Sequence, residues 1–396
     1  MRDEAVLTTS GGIGTGELFQ IFLDGRARTK AELGEITGMS RNAVSSRVDA
    51  LLKGRFVVPV GSDASSGGRR PARLAFNADA GVVLAVDLGA THATIAVTNL
   101  AASVLGLHST PMAISAGPSE ILDRVFEIGA ELLEQHAPQK RLYGVGIGLP
   151  GPVEHSTGRP VKPPIMPGWD GFDVPEYVQR RFPVPVYVDN DVNILALGER
   201  TLSWPDVDDL IFVKVATGIG AGIISGGVLQ RGSQGIAGDI GHVRVPHNKD
   251  SLRPIDDERG LSTIASGTAI AAELRAQGLD AASGFDVVRL VEQGHPAAIA
   301  ATRQAGREVG EVLAMVVNTL NPAIIVIGGV VATAGDHLLA GIREVVYRTS
   351  IPAATQNLQV VQTKEKERAG VLGAAILVTQ QVLSSRNVEA VVARPS

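Results

Sequence analysis

Cysteine is absent from all 396 residues. Disulfides, thiolate zinc sites and cysteine nucleophiles are excluded with it. No apolar run reaches the roughly 18 residues that a membrane-spanning helix needs, and Met1–Gly16 lacks the apolar core of a signal peptide. A cytoplasmic protein with no membrane partner is expected. Charged residues are few, 19% of the chain, and the net charge is −5, which excludes a whole-chain polyanion binder. What is plentiful is apolar residues, 44%, and glycine, 46 residues clustered in short turns between apolar runs. That pattern predicts α/β architecture in two or three domains.

The charge is unevenly spread. Arg26–Arg73 holds ten basic and four acidic residues, a net +6, which leaves −11 for the rest of the chain. A basic module on an acidic body is a nucleic-acid footprint. Within residues 1–80, helices are expected over Gly16–Gly25 and after Thr29, with Leu33 and Ile36 pointing inward. A third, capped by Ser40, carries Val44, Val48, Leu51 and Leu52 on its inner face. The short turn at Gly38-Met39 makes this a helix-turn-helix. Ser40, Arg41, Asn42, Ser45, Ser46 and Arg47 are the candidate DNA-reading residues at the start of that third helix. Two strand-like runs, 56–60 and 72–76, flank a basic loop whose Arg69 and Arg70 would form a wing on phosphate or in a minor groove. The plainer alternative is a winged helix used for protein contacts.

The body, from residue 81 on, is organised around VYVDNDVNILALGE (186–199). An apolar strand ends in Asp189-Asn190-Asp191 and a helix follows, the sheet edge where open α/β folds bind ligands. Asp191 can take a proton from a sugar hydroxyl, and Asn190 can donate and accept beside it. The plainer alternative is a helix cap. Two Gly-rich strand–turn–strand units, Asp87–Thr91 and Thr217–Gly220, lie about 130 residues apart and suggest an internally duplicated body with a cleft between halves. There Asp87 could hold Mg²⁺ through water and Thr91 could bond a phosphate oxygen. A third Gly turn, VIGGVV (326–331), follows a strand and opens a helical segment.

The motifs DLGATHATIAV, GVGIGLPGPV, VDNDVNILALGE, ATGIGAGII, AGDIGH, LSTIASGTAI and NPAIIVIGGVV resemble those of the ROK family (repressors, open reading frames, kinases) of the actin-like ATPase superfamily. The resemblance covers nearly the whole chain, and the N-terminal helix-turn-helix places it with the repressor branch. It implies a winged helix-turn-helix (1–80), a two-lobed, ribonuclease H-like body with lobe 1 over 81–195 and lobe 2 over 196–369, and a C-terminal helix, 370–385, packing back on lobe 1. Asn190, Asp191, Asp239 and His242 are implied as sugar-binding residues, with Asp191 the catalytic base in kinases. Asp87, Gly89, Thr91, Thr217, Gly218 and Gly220 correspond to ATP-phosphate residues, and Gly328 and Gly329 to adenosine neighbours.

Departures from the family pattern bear on chemistry. The first phosphate turn reads DLGATH where DxGGTK is usual, so His92 stands in a lysine position. Asp239 is one methylene shorter than the usual glutamate. Arg253, Ile255 and Gly260 replace the cysteines that complete the family's zinc site with His242, so no zinc is expected. An improvised site from His242, His247, Asp256 and Asp257 is an alternative, as is a core histidine. Ser262 replaces a further sugar-binding glutamate. The expectation is a sugar-responsive repressor, dimeric or tetrameric, that binds operator DNA and requires no cofactor. The alternative is an ATP- and Mg²⁺-dependent sugar kinase with an added head. Trp169 could wall the sugar pocket or pack in the core, and Val388–Ser396 is expected to fray.

Overall fold

The computed structural model describes residues 13–61, 72–245, 260–365 and 368–393. The head begins with α1 (Thr15–Gln20), continued by a 3₁₀ turn over Ile21–Asp24. The helix expected over 16–25 tightens there because Gly25, at φ 78°, closes it in the left-handed region. Helix α2 (Lys30–Thr37) starts at a capping box in which Thr29 and Glu32 satisfy each other's backbone N–H groups. Helix α3 (Arg41–Lys53) starts at Ser40, whose hydroxyl accepts from Ala43 N. Strands β1 (Val57–Val60) and β2 (Arg73–Phe76) pair antiparallel as the expected wing strands. Leu33 is fully buried, but Ile36 is 56% exposed, because α2 is short and turns its last face to solvent.

The body holds two five-stranded sheets with the same topology. The first contains β3 (Val82–Leu88), β4 (His92–Asn99), β5 (Val104–Pro111), β6 (Leu142–Leu149) and, past a minor hairpin of β7 (Val153–Glu154) and β8 (Arg159–Pro160), β9 (Val186–Asn190), ordered β5-β4-β3-β6-β9. Strands β3 to β5 are antiparallel; β6 and β9 join in parallel. The second contains β10 (Leu210–Val215), β11 (Ile219–Ser225), β12 (Val228–Gln230), β13 (Ile324–Gly328) and β14 (Gln359–Gln362), ordered β12-β11-β10-β13-β14, again antiparallel then parallel. The repeated Gly hairpin foreseen in the sequence is therefore one part of a duplicated sheet. Strand β3, buried at every position, is a centre strand covered on both faces.

Helices α4 (Pro118–His136) and α5 (Val174–Gln179) cover one face of the first sheet. Helix α6 (Asp191–Ser203) leaves β9 and runs between the sheets. Helices α7 (Leu261–Ala265), α8 (Gly267–Ala276), α9 (Gly284–Glu292) and α10 (Pro296–Leu320) build the second lobe's main core with α11 (His337–Thr349) and α12 (Pro352–Thr355). This is the two-lobed fold of actin-like ATPases carrying an N-terminal winged head.

Helix α13 (Ala369–Val382) packs on α6, β3 and β6. Gly198 on α6 lies against the Ala369 carbonyl, and Gly373 on α13 against the Ile194 carbonyl, so close that a Cβ at either would strike backbone. The chain then enters α14 (Ser385–Val392), where fraying was expected. Instead Val388 is fully buried among Leu18, Val44 and Val48, and Glu389 accepts from Gly16 N at 2.6 Å. An amphipathic helix this short is ordered by docking rather than by its own propensity. One apolar core thus runs from the head through α14 and α13 into the first sheet.

Gly373→Ala is expected to force α6 and α13 apart and cost about 1–3 kcal/mol. A urea titration against the unaltered chain checks it: the midpoint falls.

Candidate functional site

Strand β9 delivers Asp189, Asn190 and Asp191 to its carboxyl edge, and each does something different. Asp189 is 2% exposed and accepts from Asn190 N, from Asn193 Nδ2 at 2.7 Å and from Arg231 Nε at 2.7 Å. It is a structural anchor. Arg231 follows β12, so the pair ties the second sheet to the first. Asn190 caps α6 through Oδ1, accepting from Val192 N at 3.0 Å, while Nδ2 donates to Gly151 O at 2.7 Å. The capping alternative is thus realised at Asn190, which still lines the cleft. Asp191 accepts from Lys214 Nζ at 2.6 Å, with both side chains largely buried.

The cleft between lobes is a cavity of about 780 Å³. It gathers Asp87, Thr91, Asn190, Asp191, Thr217, Gly218, Gly220, Asp239, His242 and Gly329 along one wall system. Gly89 and Gly328 stand beside it. Gly89 N–H is already given to His92 O at 2.8 Å, and Gly328 packs under the Phe212 ring. Asp239 holds His242 Nδ1 through both carboxylate oxygens, at 2.8 and 2.9 Å. His242 is exposed toward the cleft, so it is not a core histidine. Ser262 faces the cleft, and its hydroxyl accepts from Ile219 N at 3.0 Å, bracing the second Gly turn. Residues 246–259, which include His247, Arg253, Ile255, Asp256 and Asp257, lie outside the described residues.

Trp169 is fully buried, with Nε1 donating to Ile114 O at 3.2 Å, and does not wall the cleft. Its ring fills the first lobe's core beside Phe172.

Lys214 and Arg231 were not singled out from the sequence. The signal for Lys214 is a lone ammonium in the apolar run LIFVKV, since a buried lysine needs a partner. Arg231 gives no such signal, because it follows a strand in a polar loop. Burial pushes the Asp87 carboxyl up to about 6; the Lys214 charge opposes this and the Asp191 charge adds to it. Burial acts to lower Lys214, but Asp191 and Asp87 outweigh it and hold the ammonium above the usual lysine value.

On the head, Arg41, Asn42 and Ser46 are exposed at the start of α3. Ser40 is committed to the cap. Ser45 accepts from Lys30 Nζ at 2.9 Å, and Lys30 also pairs with Asp49, so this side of α3 is tied to α2. Arg47, expected to face out, is half-buried, with Nε donating to Ile13 O at 2.6 Å and Nη1 to Ala43 O. It staples α3 to the segment before α1. Arg69 and Arg70 lie outside the described residues.

A Gly-turn cleft between duplicated sheets, with a carboxylate at the β9–α6 junction and a winged head on the same chain, defines a kinase-type body joined to a DNA-reading module. The chain belongs to the ROK family, whose model matches residues 83–381. It is 31% identical to a xylose repressor of Caldicellulosiruptor bescii over 382 residues, covering 93% of this chain and 95% of that one. A crystal structure of a ROK family transcriptional regulator, a homologue of the Escherichia coli MLC protein, superposes with a TM-score of 0.80 at 25% identity, covering 96% of this chain and 98% of that one. A ROK glucokinase from Streptomyces griseus, solved with glucose and AMPPNP, gives 0.62 at 26% identity, covering 75% of this chain and 99% of that one.

Two outcomes follow. Arg231→Ala leaves the buried Asp189 carboxylate without its cation and should cost about 3–5 kcal/mol, read by denaturant unfolding. For Asp87, a carboxyl raised from 3.8 to about 6 favours the folded chain below pH 4, and that contribution is lost as pH rises through 6. Asp87→Asn should therefore flatten the loss of stability between pH 4 and 7, worth about 3 kcal/mol at 1.36 kcal/mol per pH unit. Unfolding midpoints at both ends of that range check it.

Proposed function

We propose that the chain is a sugar-responsive, DNA-binding transcriptional repressor whose cleft takes a monosaccharide. The observation that carries this reading is the joining of a head and a two-lobed body by one core. The head presents Arg41, Asn42 and Ser46 on the first turns of α3, where a recognition helix contacts base edges. The body presents Asp191, Asn190, Asp239 and His242 on one cavity, a donor and acceptor set suited to hydroxyl groups. The core that includes Val388 and Val371 joins them. Full-length agreement with a relative named as a xylose repressor supports the reading, whereas the kinase likeness stops at three quarters of the chain. A pentose or hexose is the natural occupant for the cleft.

Two heads in a dimer, or paired dimers in a tetramer, would meet two half-sites. Half-site spacing is strict, so a ligand that alters the relation of the lobes would alter operator affinity. The second reading, an ATP-dependent sugar kinase with an added head, draws on Asp191 and Asp87 standing in the cleft with both Gly turns. A coupled ADP-release assay across pentoses, hexoses and N-acetylhexosamines separates the two, because sustained turnover belongs to the kinase alone.

Arg41→Ala should weaken operator binding by about 1–3 kcal/mol, the worth of a specific base contact, with an unchanged melting curve. Gel-shift titration at fixed salt reads this. Asp191→Asn should abolish the thermal shift that the effector sugar produces in the unaltered protein. A sugar screen that shifts both proteins equally would move the ligand elsewhere.

A further inference from the structure

Lys214 sits near the carboxyl end of the central strand of the second sheet, and its ammonium reaches Asp191 at the edge of the first. It donates to Asp191 Oδ2 at 2.6 Å and carries its charge within reach of Asp87 as well. The two carboxylates come from different elements, Asp87 from β3 and Asp191 from the first turn of α6. One cation therefore serves both. Phosphoryl transfer would ask this pair for two things: a base to accept a hydroxyl proton, and acidic oxygens to hold a hydrated Mg²⁺ at the phosphates. An ammonium bonded to Asp191 occupies the Oδ2 atom that a hydroxyl proton or a hydrated cation would otherwise reach. It also places a positive charge where a divalent cation would have to enter.

The first Gly turn carries a second obstacle. The His92 imidazole lies across Gly89, near enough that a Cβ there would meet the ring, and the Gly89 N–H is spent on the His92 carbonyl. Phosphate needs close access to the backbone at such a turn. The donor set in this cleft does not fit a magnesium nucleotide.

We propose that Lys214 is the specificity-determining residue of the cleft: its ammonium takes the place of the divalent cation and commits the site to an uncharged polyol without metal or nucleotide. The nature of the polyol rests on the sensor reading above; the exclusion of the metal nucleotide does not.

The test uses the full chain and two probes, Mn²⁺ followed by electron paramagnetic resonance and AMPPNP followed by calorimetry. The unaltered protein should show no Mn²⁺-dependent AMPPNP binding at millimolar ligand. Lys214→Thr should gain it, tightening at least about tenfold, or 1.4 kcal/mol, while Lys214→Arg, which keeps the charge, should not. Rescue of the exclusion by arginine separates a charge effect from a loosened core. Should Lys214→Thr fail to fold, Lys214→Gln serves as the neutral substitute, because its longer side chain keeps an N–H donor for Asp191. Metal-nucleotide binding by the unaltered chain, no gain in a folded neutral variant, or an equal gain in Lys214→Arg overturns the proposal. Xylose and glucose titrations run alongside report on the effector reading alone: their failure would sink that reading and leave the metal result standing.

Discussion

Two helices pressed backbone to backbone, α6 and α13, tie the molecule together. Glycine at 198 and 373 is required because the carbonyls of Ala369 and Ile194 fill the space that a Cβ would need. That contact holds α6 against both sheets, and α6 begins at Asp191. The N-terminal turn of α13 abuts Asp87, since a Cβ on Gly370 would strike its carboxylate. The carboxylates of the cleft thus sit at the ends of one rigid helix pair. The far end of α13 turns into α14, which packs on α1 and α3 of the head. Cleft and head share this single packing arrangement, and packed interiors pass on displacement instead of absorbing it.

Much of this was legible in the sequence because local chemistry carried it. Apolar runs ending in Gly turns marked β3, β10 and β13; the Ser40 and Thr29 caps marked the head's helices. The Asp189–Asp191 run marked the sheet edge at β9. What was not legible depends on partners remote in sequence. Lys214 meets Asp191 across 23 positions and from the other sheet, and Arg231 meets Asp189 across 42. Arg47 looked free to read DNA by helical position, but the chain before α1 returns to take its guanidinium. The last helix was hidden for a related reason. Its eight residues have too few turns to stand alone, and the apolar face of Val388 acquires meaning only against Leu18 and Val44.

Repressors and kinases of one family share a cleft, and the difference between sensing and catalysis can rest on a few charges within it. A catalyst must leave its base free to gain a proton and its metal site open. A sensor must only bind one conformation better than another. In this chain the proposed base Asp191 is bonded to Lys214, the His92 ring lies across the first Gly turn, and Ser262 braces the second. Each change would impair catalysis, where misplacement by about 1 Å can cost roughly 100-fold. None removes Asn190, Asp239 or His242 from the cleft wall, the residues proposed above to meet hydroxyl groups.

The same charges also set how the lobes are held. Lys214–Asp191 and Arg231–Asp189 both run from the second sheet to the β9–α6 junction of the first. Lys214 occupies one oxygen of Asp191, Oδ2, so a hydroxyl donor reaching that oxygen would compete with a contact that bridges the lobes. Asp189 of the second pair also accepts from Asn193 and from the Asn190 backbone, which fixes it more firmly than Asp191. Each pair joins a side chain of the second lobe to a carboxylate at the β9–α6 junction, so a change in either bears on that junction. The packing that continues from that junction runs along α6, across the glycine contact to α13, and on through α14 to the head.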